Sequence, residues 1–229
     1  MPRLGDWPLT HQQPERWCLW LVDCPAAELK AMPEVMKRVR AVEHHRKASS
    51  RPATQALADR PHLFGEIRQP MGRYILVPRH SSERRSIIPI GFMPPVVIVG
   101  DANLCIPNGG SYEFGVLTSR MHMAWVSHVC GRIKSDYRYT NQIVYNNFPW
   151  PDLDAKSVKA EVRKLRSAVE QAAQAVLDAR GAEVGATLAD LYNPPMPEKL
   201  LKAHRALDAA VDAAYALSGG KKNWKSDAQ

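Results

Sequence analysis

YILVPRHSSERRSIIPIGF, residues 74–92, decides the fold. Two short apolar runs flank a turn made of Ser, Glu and Arg. Branched and aromatic residues bounded by Pro and Gly predict strands rather than helices. The same texture runs from Phe64 to Ile106, through GEIRQ (65–69), RYILVPR (73–79), SIIPIGF (86–92) and PVVIVG (95–100), and predicts a compact sheet of four or five strands. Upstream, RWCLWLV (16–22) reads as a short buried strand. Pro33 opens a helix over 34–48, with Val35, Val39 and Val42 at helical spacing, and Pro52 opens a shorter one over 52–59.

Downstream the period changes. Ser111 is placed to cap a helix reaching about Arg132, with Phe114, Leu117, Met121, Ala124, Trp125 and His128 on one face. GRIKSDYRYTNQIVYNNFPWP (131–151) reads as loop plus one strand. Two amphipathic helices follow, one carrying Val158, Val162, Leu165, Val169, Ala172 and Val176, the other Leu200, Ala203, Leu207, Val211 and Ala214. TLADLYNPPMP (187–197) joins them into a hairpin. The expected class is α+β: a small mixed sheet with flanking helices over residues 1–150, then a helical segment over 151–229.

Charge follows the same division. The chain of 229 residues has 31 Lys and Arg against 23 Asp and Glu, a formal net charge of +8; residues 1–150 hold +7 of it and residues 151–229 only +1. Residues 30–90 alone hold 13 basic and 5 acidic side chains. Such a concentration has two readings, a polyanion footprint or a solvated basic helix face, and composition does not separate them. No run of 18 apolar residues is present, which argues against a membrane span. MPRLGDWPLT at the start lacks the apolar core of a secretory signal. Cys18, Cys24, Cys105 and Cys130 form no CxxC pair, which fits a reduced, cytoplasmic protein.

Catalytic constellations fail on inspection. Asn193-Pro194-Pro195-Met196 resembles the tetrapeptide of amino-group DNA methyltransferases, but Met stands where an aromatic ring must stack on the flipped base, and no Gly-rich cofactor turn precedes it. Asp152 and Asp154 lie too close in sequence to hold a nuclease metal from separate strands. His44-His45 and the His122/His128 pair lack ligand spacing. Cys105 and Cys130 need a neighbouring His to act as nucleophiles. The expectation is no catalytic, cofactor-binding or metal residue in this chain.

Several long blocks resemble the MmeI-like family of restriction-modification proteins and DNA adenine-N6 methyltransferases. They are LFGEIRQP (63–70), residues 74–92, SYEFGVLTSRMHMAWV (111–126) and residues 131–151. RWCLWLVDCPAAELKAMPEVMKRV (16–39) resembles the entry to the family's target-recognition domain, and LADLYNPPMPEKLLKAHRALDAAVDAAY (188–215) its C-terminal segment, so the likeness covers about 16–217. The resemblance implies sequence-specific recognition of double-stranded DNA. It also implies that S-adenosylmethionine and methyl transfer belong to a methyltransferase domain, N-terminal in such polypeptides, that this sequence lacks. On that reading the chain is a C-terminal piece, a truncated gene product or an excised subdomain, and its parent also cleaves DNA or does not. The alternative is a protein-interaction module docking through its helical tail.

A methyltransferase holding a flipped base needs phosphate clamps and base-edge readers. Ser81, Ser82, Arg84 and Arg85 of the turn are backbone candidates, as are Arg132 and Arg138; the competing reading of the turn is that Glu83 pairs with one of its arginines. In GRIKSDYR, alternating side-chain direction puts Lys134 and Asp136 on one side. A cation reading guanine beside a carboxylate accepting from cytosine would read a G·C pair; the competing reading is a local surface ion pair. By resemblance, Arg79, Asp101 and Asn103 join them as base-reading candidates.

Overall fold

The computed structural model describes residues 17–153 and 159–217. Val158, Asp154 and the N-terminal ten residues, on which expectations above fall, lie outside that set. The described residues form two compact units, one ending at Arg68 and one beginning at Gln69.

The first unit is helical. Helices α1 (Ala26–Lys30), α2 (Pro33–Lys47) and α3 (Pro52–Ala56) follow in order, the last continuing into a 3-10 turn over Leu57–Asp59. Leu21, Leu29 and Val39 form its small core, while Val42 is exposed. Arg46 holds the following turns by donating to the carbonyls of Leu57, Arg60 and Leu63 at 2.9, 3.0 and 2.8 Å. Residues 17–22 are not a strand. Trp17 is 88% exposed, and Trp20 stacks on Phe64 at 5.8 Å instead of entering a ladder.

The second unit contains two three-stranded sheets in place of one. Strands β1 (Tyr74–Pro78), β2 (His80–Ser81), β3 (Gly91–Met93) and β4 (Asn103–Pro107) precede helices α4 (Ser111–Leu117) and α5 (Arg120–Val129). Strands β5 (Gly131–Ile133) and β6 (Asp136–Arg138) then form a hairpin. The sheets are antiparallel, ordered β3-β1-β4 and β2-β6-β5. GEIRQ and PVVIVG are not strands. The Gln69 side chain satisfies that backbone itself, donating to the carbonyls of Pro95 and Val97 and accepting from the Val99 N–H. A side chain thus does the work a neighbouring strand would do.

The helix expected over 111–132 breaks at Thr118-Ser119. Both hydroxyls donate back to carbonyls of α4, and Ser119 Oγ caps α5 by accepting from the His122 N–H at 3.3 Å. The break shifts the helical phase, so His122, Met123 and Val126 are buried while His128 faces solvent. Gly110, not Ser111, occupies the cap of α4, its N–H held by the Glu113 carboxylate at 2.8 Å.

Helices α6 (Lys159–Gly181), α7 (Leu188–Tyr192) and α8 (Glu198–Leu217) complete the unit. Val169, Val176, Leu200, Leu207, Val211 and Ala214 join Ile75, Val77, Phe92 and Phe114 in one core. Gly115 permits this packing: a Cβ there would meet Val169 Cγ1 at 2.8 Å, Ala173 Cβ at 3.2 Å and Leu207 Cδ1 at 3.3 Å. Gly115→Ala is therefore expected to cost about 1–3 kcal/mol by overpacking, although alanine is the better helix former. Denaturant titration checks this, and an unchanged or raised midpoint would contradict it.

Candidate nucleic-acid interface

Arg79 is the pivot of the surface. Its N–H donates to the Ala102 carbonyl at 3.0 Å, beside the sheet of β1 and β4, and its carbonyl accepts from the Tyr139 N–H at 2.7 Å, beside the sheet of β6. One residue thereby fixes the end of one sheet against the start of the other. Its guanidinium reaches the exposed Asp101 carboxylate at 3.8 Å, and Asn103 lies on β4 opposite Pro78. Arg79, Asp101 and Asn103 are thus brought together at one sheet end.

Ser82, Arg84 and Arg85 form the turn after β2. The Arg84 N–H donates to Ser82 Oγ at 3.3 Å and the Arg85 N–H to the Ser82 carbonyl at 3.2 Å. The Glu83 N–H donates to the Asp136 carboxylate at 3.2 Å, tying this turn to the β5–β6 hairpin 53 residues away. What the fold uses from Glu83 is thus its backbone.

Ser81 departs from expectation. Strand alternation turns its neighbour His80 outward and Ser81 inward, leaving Ser81 4% exposed. Its hydroxyl is not presented to a phosphate; Ser82 is the serine at the surface.

The segment expected to be a loop plus one strand opens with a two-stranded hairpin. Lys134 sits at its tip with φ of 55°, and Asp136 begins the return strand, so strand alternation does not relate the two side chains. Both are exposed. Arg132 lies across the Tyr137 ring at 3.9 Å and donates to the Ser135 carbonyl at 2.8 Å, which stiffens the hairpin. Arg138, exposed at the centre of its sheet, is paired by its backbone to His80 and Gly131.

Sequence reasoning met Asn193 only in a rejected tetrapeptide and missed its place at this surface. Its Oδ1 accepts from Arg85 Nε at 3.0 Å across 108 residues, a distance over which sequence carries no signal. Ser82, Arg84, Arg85, Asn193 and Pro194 line one open cleft. Among the described residues no group of three or more His, Cys, Asp or Glu side chains could hold a metal ion, and no helix is long and apolar enough to cross a membrane. Cys130 is buried and its thiol pKa is pushed up, the reverse of an activated nucleophile.

Residues 10–152 match the family model described as "MmeI, target recognition domain", and residues 162–229 match "MmeI, C-terminal domain". The chain belongs to the MmeI family. DNA methyltransferase A of Bacillus subtilis (strain 168) is 37% identical over 213 residues, 93% of this chain and 23% of that protein. The solved structure of the Type IIL restriction-modification enzyme MmeI in complex with DNA matches with a TM-score of 0.84 and 41% identity, over 93% of this chain and 27% of that one. The chain thus spans about a quarter of the length of these relatives. The likeness covers the α+β architecture, with both small sheets and the C-terminal helices.

Proposed function

We propose that this chain is the duplex-DNA recognition part of a restriction-modification adenine-N6 methyltransferase, with residues 1–150 reading the DNA and residues 151–229 supporting the reader. The observation that carries the reading is the Asp136–Glu83 contact, which holds the basic turn and the polar hairpin tip on one surface. The MmeI–DNA structure, at 41% identity, supports DNA as the partner. In this reading Arg79, Asp101, Asn103, Lys134 and Asp136 read bases, while Ser82, Arg84, Arg85, Arg132 and Arg138 contact the backbone.

Methyl transfer is assigned to a methyltransferase domain N-terminal to this segment in the same polypeptide, where S-adenosylmethionine binds. The residues lining the cleft beside Asn193 do not fit that cofactor. Asn193 and Pro194 line a cleft with two arginines, and neither a carboxylate for the ribose nor an aromatic ring for the adenine lines it. A DNA-modifying reader of this kind works in the cytoplasm.

The test is selection from randomised duplexes by the chain and its variants. Lys134→Ala is expected to lose preference at one base pair by about 10-fold or more, with little change on scrambled DNA. Asp136→Asn keeps an acceptor for the Glu83 N–H but offers the bases a donor, so it should change the preferred base pair without loosening the turn. Full retention of the parent preference by both variants would remove these residues from the reading role. A parent chain that forms a discrete protein complex and shows no salt-dependent duplex binding would favour the interaction-module alternative.

A further inference from the structure

The open cleft joins two parts of the chain that sequence reading kept apart. Ser82, Arg84 and Arg85 come from the turn, Asn193 and Pro194 from the segment between α7 and α8. Two of its five lining residues are cations and none is an anion. The backbone N–H groups of Glu83, Arg84 and Arg85 are already engaged with Asp136 and Ser82. What remains for a ligand is side-chain chemistry: two guanidinium groups, and a Ser82 hydroxyl whose oxygen accepts from Arg84 and whose proton is free to donate.

The partner of Arg85 sharpens the point. A carboxylate at position 193 would orient the guanidinium but also neutralise it. Asn193 orients it through Oδ1 at 3.0 Å and leaves its charge and terminal N–H groups unspent. A neutral acceptor behind a cation in an anion-free cleft suits an incoming oxyanion.

We propose that this cleft holds one phosphodiester of the DNA backbone and that Asn193 is the positioning residue for Arg85. The inference rests on the reading of the turn as a backbone contact and extends it, because the helical segment then contributes to the interface as well as supporting it.

The experiment is a fluorescence titration of a duplex of about 30 base pairs with the full chain across a sodium chloride series. Loss of one phosphate contact lowers the slope of log affinity against log salt by about 0.9. Arg85→Ala and Asn193→Ala are each expected to approach that drop, and Asn193→Ala should add nothing in the Arg85→Ala background. Arg85→Lys keeps the charge without the fork, so its slope should stay near the parent value and no longer respond to Asn193→Ala. Asn193→Asp should weaken binding at least as much as Asn193→Ala. Asn193 is exposed and Arg85 half-buried, and thermal melts confirm folding of each variant. Parent-like slopes for Arg85→Ala or Asn193→Ala, or additive losses in the double variant, overturn the inference alone. A parent chain without salt-dependent duplex binding overturns the proposed function and the inference with it.

Discussion

Tyr192→Phe is expected to lower the unfolding free energy by about 3 kcal/mol, far more than removal of one oxygen usually costs. Tyr192 is buried, and its hydroxyl links two buried polar groups of different helices. Arg180 Nε, from α6, donates to it at 2.7 Å, and His204 Nε2, from α8, lies 2.8 Å away. The phenol oxygen accepts from Arg180, and its proton is available to His204 Nε2 when that nitrogen is unprotonated. The guanidinium also donates to the Ile90 carbonyl at 2.7 Å, which ties the helices to the loop entering β3. Phenylalanine fills the space but strands a charged N–H and an imidazole nitrogen away from water. Denaturant titration of Tyr192→Phe, Arg180→Met and the double variant checks the account. The two losses should be subadditive, since each single change removes the same bond. A loss below about 1 kcal/mol for Tyr192→Phe would show that the network contributes little.

Local signals were legible in the sequence, and distant partnerships were not. The i+4 and i+7 spacing of Val169, Val176, Leu200, Leu207 and Val211 is a property of each helix by itself, and those residues are buried as their spacing predicts. The 16–22 segment has strand composition, but a strand requires a partner, and nothing local states whether one exists. Gln69 shows the limit from the other side. One amide side chain satisfies the 95–99 backbone across some 26–30 residues, so a branched run that reads as a strand becomes an irregular loop. Thr118 and Ser119 carried a legible signal for a helix break, since both hydroxyls compete for backbone carbonyls.

The candidate interface divides in the same way. The turn at 82–85 stands out from its Ser and Arg content, because turn chemistry is local. Its attachments to Asp136 and Asn193 cross 53 and 108 residues, and only the fold reveals them. The GRIKSDYR segment was ambiguous because alternation fits a strand and a two-residue turn alike until the pairing of Ile133 with Asp136 is known. The burial of Ser81 follows from the pairing of β2 with β6, which places it opposite Tyr137.

Acidification should destabilise the chain well above the pH range where carboxylates titrate. His122 and His204 are both buried, and burial pushes their pKa values down from the ordinary 6.5, to about 4 and about 3; the positive charge of Arg180 adds to the effect at His204, while the carbonyls of Leu117 and Thr118 offset part of it. A depressed histidine pKa means that the unfolded chain takes up the proton first. Stability is therefore fully present above pH 6.5 and is lost as pH falls towards the folded values. At pH 5 each imidazole costs on the order of 2 kcal/mol, or about 4 kcal/mol for the pair, a large share of the stability of an ordinary domain. Protonation would also force both ring nitrogens to act as donors in their buried contacts: His122 Nε2 lies 3.0 Å from the Tyr139 hydroxyl, and His204 Nε2 lies 2.8 Å from the Tyr192 hydroxyl. Denaturant midpoints at pH 8, 6.5 and 5 should fall slightly over the first interval, by about 0.8 kcal/mol for the pair, and sharply over the second. The NMR shifts of the His122 and His204 imidazoles should meanwhile remain those of neutral rings at pH 5 in the folded chain. Equal stability at pH 8 and pH 5, or rings that titrate near 6.5 while the fold persists, would mean that water reaches both sites and that the core over α5 and α8 is looser than its packing implies.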